Sequence, residues 1–300
     1  FVPPISNPPL TLDFVKQLPK CDLDCRFIGS VPLKDLYSFY SRLSDEERKS
    51  DQFNKFPEFS SFESFAQFIL TEPSANLHRT AKQLSYALLQ TEENIRQAAK
   101  GIMNAALDDN VRYMELTCCP VLHVYNGLTA DSVVAFIVDE INKFTAEKQN
   151  KLLVKLVLSA DISKLDPLSV QEVAELCVKY HDSGKVVVGF ATTSGEIGFA
   201  NFPYYQHSFD YLREHFIPVT IFAGEKDTSS VNTALVCGYA SRLSGGFKIP
   251  ESESLLNEVT SHNVAILVGT ETHLMESKVL NWHKSPQRFF FDFGLHIALC

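Results

Sequence analysis

Eight apolar runs rich in β-branched and aromatic residues, bounded by turn formers and alternating with helical patterns, restrict this chain to a repeated strand–helix architecture. The runs fall near 21–27, 111–117, 151–160, 186–192, 218–223, 234–237, 264–268 and 294–299. Between them the helix signals are explicit. Thr91 is an N-cap for a helix over 92–109, Thr129 or Asp131 opens one running to about residue 144, and Pro167 fits the first turn of one ending near 182–184. Alternation of this kind with short turns predicts parallel strands joined by crossover helices, an eight-stranded parallel (β/α)8 or TIM barrel. At 300 residues, 45% of them hydrophobic, the chain can fill one such core, so a single domain over 1–300 is expected.

Composition removes several classes of function. A formal charge of −9 with scattered lysines and arginines offers no basic stripe for phosphate backbones, so nucleic acid is not an expected partner. No run approaches the ~18 consecutive apolar residues of a membrane span, and the start at Phe1-Val2-Pro3-Pro4 is not signal-like. The seven cysteines include no Cys-x-x-Cys pair and several lie inside strand-like runs. They read as reduced, buried thiols, and the expected setting is soluble, in the cytoplasm or an organelle matrix.

One connection is too long to be plain. Between the first two strands, residues 32–90 form a helical insertion carrying Phe53, Phe56, Phe59, Phe62, Phe65 and Phe68 at a period of three. This stripe is expected to pack a helical cap over the C-terminal mouth of the barrel. A second cluster, Phe289-Phe290-Phe291 with Phe293, is expected in a buried final helix.

Several segments carry a resemblance in order and spacing. Pro19-Lys20 with the strand around Leu23 and Gly29, Tyr113-Met114-Glu115-Leu116 with Pro120, and Val188-Gly189 to Gly195-Glu196 are followed by Ala223-Gly224-Glu225, Cys237-Gly238-Tyr239 and His283-Lys284-Ser285-Pro286. Together they resemble the adenosine deaminase family, zinc-dependent barrels of the amidohydrolase type. The resemblance implies a metal held by imidazoles and a carboxylate, which makes a bound water available as hydroxide, and a carboxylic acid that protonates the purine. It also implies which positions matter. The first two family histidines align with Asp24 and Arg26, the third with Phe222, and the histidine that orients the water with Cys237. The aspartate ligand falls beyond Cys300.

Most of these residues cannot do the family's work. Asp24 could ligate a metal and Cys237 could as a thiolate, but Phe222 has no donor and Arg26 places a fixed cation where a divalent ion belongs. Glu225 keeps the acid's position. The carboxylate that grips the ribose aligns with Ile28, and the glycine that approaches the purine aligns with Ser194, which argues against the inherited grip on a nucleoside. None of the nine histidines replaces the lost ligands: His123 and most others read as surface or packing residues, and His296 as a strand residue facing the core.

The expectation is therefore a catalytically inactive barrel with no metal and no cofactor, structural or regulatory, associated with other protein subunits. Two alternatives stand beside it: a divergent purine deaminase or hydrolase using Glu225 with Asp24 or Cys237, and a nucleoside-binding sensor without turnover. Asp24 and Arg26 are expected either as an ordinary exposed pair at a strand end or, in the sharper reading, with the guanidinium in the vacated metal position, paired with Asp24, Glu225 or both.

Overall fold

The computed structural model describes residues 11–70, 75–184, 186–193, 195–198, 200–269 and 285–299, apart from the side chains of 75–79 and 184. Its eight strands are β1 (Lys20–Arg26), β2 (Val111–Cys118), β3 (Leu153–Asp161), β4 (Val187–Thr193), β5 (Val219–Ala223), β6 (Arg242–Gly245), β7 (Ala265–Val268) and β8 (Ile297–Leu299). They are hydrogen-bonded in sequence order and every neighbouring pair is parallel. With helices between them they form the expected (β/α)8 barrel.

Local chemistry explains where elements begin. Strands covered on both faces read as continuous apolar runs, and Val154 to Ala160 of β3 is such a run, interrupted only by Lys155 and Ser159. Thr91 caps the Glu92–Asp108 helix by accepting from the Asn94 N–H, and Thr129 opens Ala130–Glu147 in a capping box with Ser132. Asn110, Asn150 and Asn263 hold left-handed backbone just before β2, β3 and β7, the conformation that ends a helix and that asparagine tolerates.

One expected strand is wrong. Residues 234–237 lie in and at the end of the Ser229–Val236 helix, and the sixth strand is Arg242–Gly245. A four-residue apolar run fits either element, and the true strand hides because Leu243 is its single large apolar residue. The final aromatic cluster also differs. In the Gln287–Asp292 helix Phe290 is buried, whereas Phe289, Phe291 and Phe293 are exposed.

The 32–90 insertion contains helices Leu33–Ser41, Asp45–Lys49, Phe62–Leu70 and Ala75–Leu88. Phe53, Phe56, Phe59 and Phe65 are buried, while Phe62 and Phe68 are half-buried; the first three sit in turns and extended chain, not in a helix. Their rings meet Tyr37 and Tyr40 of the Leu33–Ser41 helix. The insertion reaches the barrel mouth through Lys82 and Tyr86, which line a cavity together with Arg26, Thr117, Ser159 and Thr193 from strand ends β1 to β4.

Candidate functional site

The turn after β5 is built around a carboxylate. Gly224 adopts φ +75°, and a Cβ there would lie 2.8 Å from Val231 and 3.0 Å from the Gly246 backbone, so the turn requires glycine. Glu196, from the segment after β4, accepts hydrogen bonds from the Glu225 N–H (2.7 Å), the Lys226 N–H (3.2 Å) and the Ser230 hydroxyl (3.0 Å). Glu225 itself is 7% exposed. Its carboxylate occupies the space above Gly245, where an added Cβ would fall 2.6 Å from Oε1. Gly245 pairs with Ala223 in the sheet, so it ends β6 beside the acid.

The other named positions are dispersed. Arg26 and Asp24 form an ion pair at 3.1 Å near the end of β1, with the arginine side chain 38% exposed. No ion pair joins Arg26 to Glu225 among the described residues, and partial solvation limits the Arg26–Asp24 pair to about 1 kcal/mol or less. Phe222 is half-buried near the end of β5, its N–H donating to Thr192 Oγ1. Ile28 lines the mouth cavity; Ser194 lies outside the described residues, as do His273, His283 and Cys300. Cys237 caps the C-terminus of a helix that runs from the end of β5 back towards the start of β6, which takes it away from Glu225. The position beside the acid belongs to Gly245.

This donor set does not fit the zinc of the amidohydrolase barrels. Asp24 is already bound to a guanidinium, Phe222 offers no lone pair, and Gly245 has no side chain. Among the described residues no three histidine, cysteine, aspartate or glutamate side chains converge to hold an ion.

Other groups at the mouth were not anticipated. Asp161 ends β3 almost fully buried, with Oδ1 bound by Ser163 and Oδ2 3.5 Å from the Lys164 ammonium. Lys164 also lies 4.2 Å from the centre of the Tyr86 ring. A charged residue closing an apolar run was the available signal for Asp161; nothing in the helical pattern marked Lys82 or Tyr86. The Cys119 thiol beside them is pushed up to about 12 by burial, so Cys118-Cys119 is packing, not a nucleophile.

Of the two readings, surface or packing, His123 takes the second. It is 1% exposed, edge-on to Phe27, and its Nδ1 lies 2.8 Å from the Leu89 carbonyl oxygen, as a donor in the neutral ring. Burial pushes its pKa down to about 4. The unfolded chain takes up this proton below about 6.5, the folded protein only near 4, so stability is full above 6.5 and falls as the pH drops towards 4. Chemical denaturation should show the stability difference between pH 7 and pH 5 shrinking by about 2 kcal/mol in His123→Gln. An unchanged difference would refute the assignment. His296 is exposed, not core-facing.

Comparison with known proteins places this geometry. The profile of a family described as Adenosine deaminase matches residues 48–300. A Dictyostelium discoideum protein named "Probable adenosine deaminase" is 29% identical over 310 residues, covering 98% of this chain and 40% of the relative. The adenosine deaminase of Vibrio atlanticus (strain LGP32) is 29% identical, over 96% of this chain and 82% of its own length. The chain thus spans less than half of the first relative and most of the second. Among solved structures, an Arabidopsis protein described as ADAL complexed with IMP shares the fold at TM-score 0.80 and 15% identity, over 96% of this chain and 82% of its own. These matches overturn the expectation of a barrel that is not an enzyme, since both relatives, aligned over nearly all of it, are named as deaminases. No helix among the described residues is long and apolar enough to cross a membrane.

Proposed function

This chain belongs to the adenosine deaminase family, and we propose that it is the barrel of a purine aminohydrolase, exchanging a ring amine for oxygen with release of ammonia. The observation that carries this reading is Glu225: a buried carboxyl at a strand end, oriented by Glu196 through its own N–H and given room by Gly245. Such an acid can donate a proton to the ring nitrogen as water adds to the carbon bearing the amine; the resulting carboxylate can take the added water's proton and pass it to the amine, which leaves as ammonia. The strand-end location is where barrels of this architecture place their chemistry. The names of the relatives, and the IMP bound by the structural neighbour, support a purine as the substrate class.

Purified protein should release ammonia from adenosine or AMP. Because the donor set does not fit zinc, the rate should be unchanged by a chelator. Loss of activity on chelation would refute that reading of the donors, and absence of ammonia from both purines would refute the aminohydrolase itself.

A further inference from the structure

Three successive backbone N–H groups at the end of β5 are satisfied by one pair of side chains. The Gly224 N–H donates to Ser230 Oγ (2.9 Å), the Glu225 N–H to Glu196 Oε1 (2.7 Å) and the Lys226 N–H to Glu196 Oε2 (3.2 Å). The Ser230 hydroxyl donates in turn to Glu196 Oε1 (3.0 Å), sharing its proton with the Asp227 carbonyl oxygen (3.1 Å). Gly224, at φ +75°, starts the run, and consecutive N–H groups around a left-handed residue make a concavity that binds an anion. Here the anion is a side chain from the segment after β4.

Both halves of this clamp are anchored. Ser230 is 2% exposed in the first turn of the Ser229–Val236 helix, and Asp227 accepts from the N–H groups of Ser229 (2.8 Å) and Ser230 (3.2 Å) where that helix begins. On the other side, Glu196 is flanked by Gly195, where a Cβ would lie 3.2 Å from the Ser163 backbone nitrogen, and by Ile197, which is buried. The segment after β4 is thus seated against the loop after β3, and its carboxylate reaches the β5 turn from a fixed base. Hydrogen bonds to a carboxylate are of the stronger kind. Because Glu225 lies over Gly245 with a clearance that would not admit one methyl group, a shift of the turn changes where its proton is delivered.

We infer that Glu196 and Ser230 are positioning residues for the aminohydrolase reaction, a clamp from the β4 segment and the Ser229–Val236 helix that fixes the β5 turn and aims Glu225. The inference rests on the aminohydrolase reading of this site and deepens it. Neither residue has to meet the purine, because both act through the backbone of the turn. The leverage is large: a misplacement of about 1 Å at a reacting group can cost about a hundredfold in rate.

The test joins steady-state kinetics of ammonia release to amide hydrogen exchange over residues 224–226 and to melting temperatures. Glu196→Ala should lower kcat about tenfold to a hundredfold at unchanged KM, and the amides of Gly224, Glu225 and Lys226 should exchange faster. Ser230→Ala should do the same more weakly. The double variant should lose less than the product of the two single losses, since the hydroxyl acts partly through the carboxylate. Glu196→Gln, which keeps one oxygen for the Glu225 N–H, should recover part of kcat. Wild-type protein that releases no ammonia would sink the aminohydrolase reading, and the clamp's catalytic role with it. Turnover in the wild type with an undiminished kcat in Glu196→Ala, or a loss accounted for entirely by the unfolded fraction, would overturn the clamp alone, as would amides that exchange no faster in either alanine variant.

Discussion

Phe65→Ala should lower the free energy of unfolding by about 3–5 kcal/mol, the range for deleting a fully buried phenylalanine ring. Phe65 is 0% exposed, and its ring meets Phe59 at 5.2 Å, Tyr37 at 5.5 Å and Tyr40 at 5.9 Å between centroids. These neighbours are themselves fixed: the Tyr40 hydroxyl accepts from the Phe59 N–H, and Arg48 lies over the Tyr40 ring. The cluster therefore cannot collapse into the vacated space without breaking polar contacts, which places the cost high in its range. Phe291→Ala, at a ring 64% exposed, should cost less than about 0.5 kcal/mol and serves as the control. Denaturant titration of both variants decides the matter, and a Phe65→Ala penalty no larger than the control would show that the insertion has no core of its own. Because the insertion carries Lys82 and Tyr86, the same substitution should also loosen the mouth.

Much of this organisation was legible before any coordinates. Capped helices such as Glu92–Asp108 and fully covered strands such as β3 announce themselves through short-range rules that tertiary packing rarely overrides. The sixth strand did not, because Arg242-Leu243-Ser244-Gly245 owes its conformation to pairing with β5 and β7 on either side, not to its own side chains. The chemistry of the site divides in the same way. That Phe222 and Arg26 cannot bind a metal follows from residue type alone, but that Cys237 stands apart from Glu225, with Gly245 in the place beside the acid, depends on where one helix ends. Whether His123 packs or lies at the surface was not legible locally for a related reason: its burial is created by Tyr86 and Phe27, more than thirty positions away. The mouth cavity is lined by strand ends and an insertion helix far apart in sequence, a juxtaposition that no local pattern encodes.

Glu225→Gln should reduce ammonia release by about 10²–10⁴-fold, the usual contribution of a positioned general acid, with the fold intact. The amide keeps the shape and volume of the carboxyl, so it fits the clearance above Gly245 and leaves the backbone hydrogen bond to Glu196 in place. What it cannot do is deliver a proton to the ring. Gly245→Ala attacks the same step from the other side: its added methyl would fall 2.6 Å from Glu225 Oε1 and 3.0 Å from the Ala223 carbonyl oxygen, at a backbone φ of +110° that alanine adopts only under strain. That variant should lose activity and stability together, whereas Glu225→Gln should lose activity alone. Comparing rates and melting temperatures of the two separates proton donation from mere occupancy of the turn. If Glu225→Gln retained full turnover, the carboxyl would be a structural part of the β5 turn and the proton would have to come from another group at the mouth.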